Sequence, residues 1–116
     1  MMFEQNDRRT GSYYEEIAAQ YLEENGIPVI ARNYRIRIGE IDIIAEDSGY
    51  LCFTEVKYRR SGSYGRPAEA VTVSKQRTIR RVAEYWIADH KAYHRPVRFD
   101  VIEITGHEIR HLKNAF

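Results

Sequence analysis

A single cysteine, Cys52, excludes an internal disulfide and agrees with a reducing compartment. No stretch approaches the ~18 consecutive apolar residues that a membrane-spanning helix needs. The opening MMFEQNDRRT also lacks the apolar core of a secretion signal. These absences lead us to expect a soluble cytoplasmic protein with no membrane partner. Net charge is nearly missing too: at +1, the overall balance does not announce a polyanionic ligand. There is no internal repeat and no low-complexity tract. With 43% hydrophobic and 12% aromatic residues, the chain is too apolar for disorder. Its 116 residues suit one domain with one core.

The pattern along the chain is more informative. Residues 1–9 are polar and aperiodic and read as a flexible lead-in to a single domain over 10–116. Thr10 or Ser12 could cap a first helix, in which Tyr14, Ile17, Ala18, Tyr21 and Leu22 recur on one face. Gly26 and Pro28 end it. Val29 to Arg35 is extended, and Gly39 to Glu46 alternates. Glu46-Asp47-Ser48-Gly49 reads as a turn, and Tyr50 to Tyr58 completes a β-hairpin. A basic, glycine-rich loop follows over residues 59–67. A second helix has Ser74 as its expected cap and Ile79, Val82, Ala83, Trp86 and Ile87 as its apolar stripe, and ends before Pro96. Val97 to Ile104 and Glu108 to Leu112 are strands. The order α-β-β-β-α-β-β predicts an α/β fold, a mixed sheet flanked by helices.

Residues two apart on a strand share a face, so Glu55 and Lys57 project together. With Glu46 opposite Gly49, Asp42 would face Phe53 and lie diagonally beside Glu55, within reach of a shared ion. A loop of odd length would reverse that parity. Unpaired buried carboxylates are costly, and a divalent cation offsets the cost. Mg²⁺, with its preference for hard oxygen ligands and retained waters, needs only two such carboxylates. Such an ion activates water and stabilises charge growing on a phosphate, and Lys57 would add a point charge beside it. The competing reading is a surface ion pair on an exposed sheet face. Glu15 has a bland alternative as well, a solvated glutamate in the first turn of its helix.

Gly39-Glu40-Ile41-Asp42, followed after a hairpin by Phe53-Thr54-Glu55-Val56-Lys57, resembles the D…ExK core of the PD-(D/E)XK nuclease superfamily. More closely, the chain resembles the YraN-like family, related to archaeal Holliday junction resolvases. Gly11, Glu15, Ala18, Leu22, Gly26, Arg32-Asn33, Lys75 and Arg98-Phe99-Asp100-Val101 carry the likeness through residues 10–116. The superfamily's proline is replaced by Ile41. The resemblance implies a restriction-endonuclease-like sheet, Mg²⁺ or Mn²⁺ as cofactor, and Asp42 and Glu55 as metal ligands. It adds the Val56 carbonyl as a further ligand, Lys57 as the catalytic lysine, and Glu15 as holder of a water or second ion. Related resolvases are homodimers.

From Lys57 to Arg81 eight basic residues face only Glu69, a local net charge of +7. Arg59, Arg60, Arg66, Lys75 and Arg77 are therefore expected to contact phosphates, with Tyr58 and Tyr64 able to stack on bases. A solvated basic face is the alternative. The resulting expectation is a metal-dependent endonuclease acting on DNA, including branched DNA, with RNA as another substrate class. The alternative from a different class is a non-catalytic, nuclease-fold module that binds nucleic acid. His90 and His94, four apart on the second helix, have no third ligand and read as solvated. Arg98 and Asp100 read as a structural pair, and Cys52 as core.

Overall fold

The computed structural model describes residues 2–59 and 71–116, with side chains from Gly11 onward. Two helices and five strands follow the expected order. They are α1 (Met2–Glu24), β1 (Val29–Ile36), β2 (Gly39–Asp47), β3 (Tyr50–Arg59), α2 (Val73–Asp89), β4 (Val97–Thr105) and β5 (Glu108–Leu112). The strands form one sheet in chain order. β1, β2 and β3 are antiparallel neighbours, β3 and β4 are parallel, and β5 returns antiparallel to β4. The parallel pair requires a crossover, and α2 provides it. The result is the mixed, helix-flanked sheet of a nuclease-like fold.

Alternation along the strands gives the sheet two apolar faces, each covered by one helix. Ala18, Ala19 and Leu22 of α1 pack on Ile43, Ala45, Cys52, Ile102 and Ile104. Ile79, Val82, Ala83 and Trp86 of α2 pack on Ile41, Ile44, Leu51, Phe53, Phe99 and Val101. Phe53, wholly buried, meets Trp86 edge-on at 5.9 Å. Ile41 lies in the α2 cluster although Ile43 lies in the α1 cluster, so the alternation of β2 breaks at Asp42.

Several boundaries differ from the sequence expectation. α1 is continuous from Met2, so the backbone of the supposed lead-in is helical and Thr10 and Ser12 lie inside the helix. No proline interrupts residues 2–24, and one glycine costs a helix only about 1 kcal/mol. Gly26, at φ +75°, ends α1 while Ile27 N–H donates to Leu22 O at 2.9 Å. The N-cap of α2 is Thr72 rather than Ser74, since its hydroxyl accepts from Lys75 N–H at 3.1 Å. α2 stops at Asp89, and Lys91 adopts φ 51°, so His90 and His94 do not share a helical face. His90 instead stacks on Trp86 at 4.0 Å.

The β2–β3 turn is also tighter than expected. Asp47 pairs with Tyr50, leaving only Ser48 and Gly49 in the loop, both at positive φ. Such two-residue turns match the twist of the flanking strands. The register therefore moves by two residues, which preserves parity. Its continuation sets Asp42 directly opposite Glu55 instead of diagonally beside it.

Candidate active site

β2 and β3 pair from the turn only as far as Ile43 and Thr54. Beyond that point β2 keeps its pairing with β1, through Tyr34–Ile41 and Arg35–Glu40. The two central strands thus part where Asp42 and Glu55 stand. Asp42 fills the opening, where its Oδ2 accepts from Val56 N–H at 2.9 Å, a bond the sheet ladder would otherwise supply. The Asp42 and Glu55 carboxyls stand close enough there for the charge of Asp42 to act on Glu55.

Glu55 is only 5% exposed, which rules out a surface ion pair. Two ammonium groups approach the same Oε2: Lys57 Nζ at 3.7 Å and Lys75 Nζ at 3.9 Å. Lys57 comes from two residues along β3, and Lys75 from the first turn of α2. Gly39 sets how closely that helix can sit. A Cβ there would lie 2.5 Å from Thr78 Cγ2 and 3.3 Å from Val82 Cγ2. The glycine of the GEID run is a packing requirement that brings Lys75 over the carboxylates.

Glu15 arrives from the opposite side, on α1. Arg32 holds the neighbouring Glu16 at 2.7 Å, and the charges of Asp42 and Glu40 reach Glu15. Arg32 thereby ties α1 to β1. Among the described residues no three His, Cys, Asp or Glu side chains converge as a group able to grip one ion.

Too few cations face too many acids. Burial, then the charge of Asp42, pushes the Glu55 carboxyl up to about 7, against the partial relief of Lys75 and Lys57. Burial likewise raises Glu15 to about 7, helped by Asp42 and Glu40. Asp42 is raised by burial despite its bond from Val56. Glu40 thus contributes charge to the site. Carboxyls held near neutrality by burial and like charge are a recurrent mark of functional sites. Two grooves of about 520 and 400 Å³ flank α1. Neither is lined by Asp42, Glu55 or Lys57.

The expected basic surface is divided by the fold. Lys75 is at the carboxylates, and Arg77 is exposed on α2. Arg59 is engaged by Glu103, with Nε 2.9 Å from Oε2. Arg80 lies over the Phe99 ring at 4.5 Å and serves packing. Arg60, Arg66 and Tyr64 lie outside the described residues. Tyr58 already stacks on Tyr14, with ring centroids 4.0 Å apart. Glu103 carried no sequence signal, because its importance depends on the β3–β4 register that sets it beside Lys57.

A second charged cluster lies on the α1 face of the sheet, where Asp100 is in register with Thr54, the neighbour of Glu55. Asp100, wholly buried, accepts from Arg98 through both oxygens at 2.9 Å, and from Asn114 N–H at 2.9 Å. His111 Nε2 lies 2.8 Å from Asp100 Oδ2, and Arg98 reaches on to Asp47 at 2.9 Å. Burial opposes ionisation of Asp100, but the bonds from His111, Arg98 and Asn114 prevail and hold it down at about 2. The Arg98–Asp100 pair is structural, as its sequence suggests, and His111 acquires a role the sequence does not indicate. Cys52 is a core residue whose thiol burial raises to about 11. Among the described residues no helix is long and apolar enough to cross a membrane.

Residues 14–104 match the model of Uncharacterised protein family UPF0102. A UPF0102 protein of Lachnoclostridium phytofermentans is 47% identical over 112 residues, covering 96% of this chain and 95% of the relative. One from Rhodococcus opacus is 48% identical over 111 residues, covering 91% and 94%. One from Caldicellulosiruptor saccharolyticus is 42% identical over 117 residues, covering 96% and 99%.

Proposed function

The chain belongs to Uncharacterised protein family UPF0102, the YraN-like family, and we propose that within it this protein is a divalent-metal-dependent nuclease acting on DNA. The observation that carries this reading is the buried, mutually repelling Asp42–Glu55 pair, placed where two strands part and flanked by two lysines. Mg²⁺ or Mn²⁺ fits the donor set, which is all hard oxygen and deficient in positive charge. Asp42 and Glu55 would hold the ion. Val56 adds a carbonyl: on a strand the N–H and C=O of one residue point to the same side, and its N–H already points at Asp42. When bound, the ion supplies an activated water and charge stabilisation at phosphorus.

The chain's own groups do the remainder. Lys57 sits beside Glu55 to orient the attacking water or to meet the negative charge that grows on the phosphate. Lys75 offers a second point charge from the helix side. Glu15, on which the charge of Asp42 acts, would hold a water or second ion beside the pair. Arg77 and Arg59 supply phosphate contacts without reading base sequence, and Arg60 and Arg66 extend that role. Branched or otherwise structured DNA is the proposed target. A homodimer would bring two sites to two strands, which sedimentation with and without DNA tests.

The decisive experiment is cleavage of end-labelled linear, single-stranded, flap and four-way-junction DNA with Mg²⁺, Mn²⁺ or EDTA, with matched RNA alongside. Metal-dependent cleavage is expected to fall at least ~100-fold in Glu55→Ala and Lys57→Ala. Activity on RNA alone would overturn the DNA assignment. Binding without cleavage in any metal, unchanged by either substitution, would replace the enzyme with a non-catalytic nucleic-acid-binding module.

A further inference from the structure

Glu103 is a buried acid beside the site that the mechanism above does not use. It lies on β4 in register with Lys57 of the parallel neighbour β3. Its side chain is 8% exposed, and its two oxygens face different cations. Oε2 is 2.9 Å from Arg59 Nε, and Oε1 is 3.8 Å from Arg110 Nη1. Glu55, Lys57 and Arg59 alternate along β3 and so share one face, with Arg59 about 7 Å beyond Lys57.

The geometry of the Arg59 contact is specific. A guanidinium presents donors in a rigid fork, with one edge through Nε and another formed by the two terminal nitrogens. Glu103 takes Nε. Among the described residues the terminal nitrogens of Arg59 have no carboxylate partner, and its side chain remains 25% exposed. A charge held this way is pre-organised for a bidentate contact with a phosphate, because the rotamer freedom of the long side chain is already lost. If Arg59 served only to neutralise Glu103, the nearby Arg110 would be a redundant second cation.

We propose that Glu103 is a positioning residue. It holds Arg59 as a clamp for the phosphate next to the scissile one, so that the substrate strand runs along β3 from Lys75 past Lys57 to Arg59. This proposal rests on the nucleic-acid reading of the site, but not on cleavage.

Fluorescence anisotropy tests it with fluorescein-labelled four-way-junction and single-stranded DNA, in EDTA and in Ca²⁺, over a series of salt concentrations. Arg59→Ala should weaken binding roughly 10-fold and lower the slope of log affinity against log salt by about one phosphate contact. Arg59→Lys should keep the slope but recover only part of the affinity. Glu103→Gln should weaken binding roughly 3-fold by freeing the arginine, and should add nothing in an Arg59→Ala background. A structural role for Glu103 would instead give additive losses that track the thermal midpoint, and that result overturns the proposal. Should Glu103→Gln fail to fold, the Arg59 variants decide: wild-type affinity and slope in Arg59→Ala end the clamp. If the wild type binds neither DNA, the nucleic-acid reading falls and the clamp with it. If it binds DNA but does not cleave it, only the nuclease falls.

Discussion

Two buried acids stand on adjacent strands of the same sheet, each between basic partners, and they titrate in opposite directions. Asp100 is held at about 2, whereas Glu55 is pushed up to about 7. Both are removed from water, and desolvation favours protonation of both. The difference lies in the partners. Asp100 accepts four short bonds from Arg98, His111 and Asn114, which satisfy both oxygens. Glu55 has a second carboxyl against it, and its lysines stand off at 3.7 and 3.9 Å, beyond hydrogen-bond length. One cluster is complete and ties β4 to the C-terminal segment. The other is short of positive charge, a condition that a ligand can relieve and that packing alone would not favour.

Three substitutions break or sharpen this contrast. Asp100→Ala should cost the most, about 3–5 kcal/mol in urea unfolding, because it leaves Arg98 and His111 buried without their acid. A loss below 1 kcal/mol would mean that the cluster is not structural. Glu55→Gln should act in the opposite direction and stabilise the metal-free protein by about 1–3 kcal/mol at pH 8, by removing a charge held at the wrong protonation. The pH dependence follows the same signs. Glu55 and Glu15 are raised in the folded state, so their contribution is full below about 4.5 and is lost as pH rises through about 7. Asp100 is depressed, so its contribution is present above about 3.8 and is lost as pH falls through about 2. Thermal midpoints between pH 4.5 and 8 should therefore fall in the wild type and fall less steeply in Glu55→Gln, where Glu15 still titrates. An equal fall in both would remove Glu55 as the cause.

The smallest expected effect tests how the deficient cluster is assembled. Gly39→Ala should cost about 1 kcal/mol by crowding Thr78 and Val82. Thr78 can turn its methyl away only by disturbing its bond to Ser74 O. Displacing α2 should also draw Lys75 away from Glu55 and leave the Asp100 cluster untouched. A pH profile that steepens between 4.5 and 7 and stays unchanged near pH 2 is the expected signature. Change confined to the acid end would contradict it.

The residues of the site were legible because their chemistry is local. Asp42 ends the Gly39-Glu40-Ile41-Asp42 run, and Glu55 and Lys57 are two apart, so the pleat alone sets the latter two on one face. The element order and the apolar stripes of both helices were equally local, since burial must follow the period of the backbone. The register was not. It turned on Ser48 accepting a positive φ and shortening the turn to two residues, which moved the partner of Asp42 from Phe53 to Glu55 without changing its face.

What remained depended on residues far apart in the chain. The start of α1 and the cap of α2 are local competitions between similar candidates, and small free-energy differences decide them. Gly39 against Thr78, Arg59 against Glu103 and His111 against Asp100 are contacts that no spacing encodes. Which acids are starved of charge and which are satisfied followed only from how the strands were laid beside one another. The sequence by itself determined which groups a strand presents and on which face. The tertiary structure decided how many opposite charges reach each buried acid, because Coulomb energy and desolvation depend on distances that only the packed chain defines.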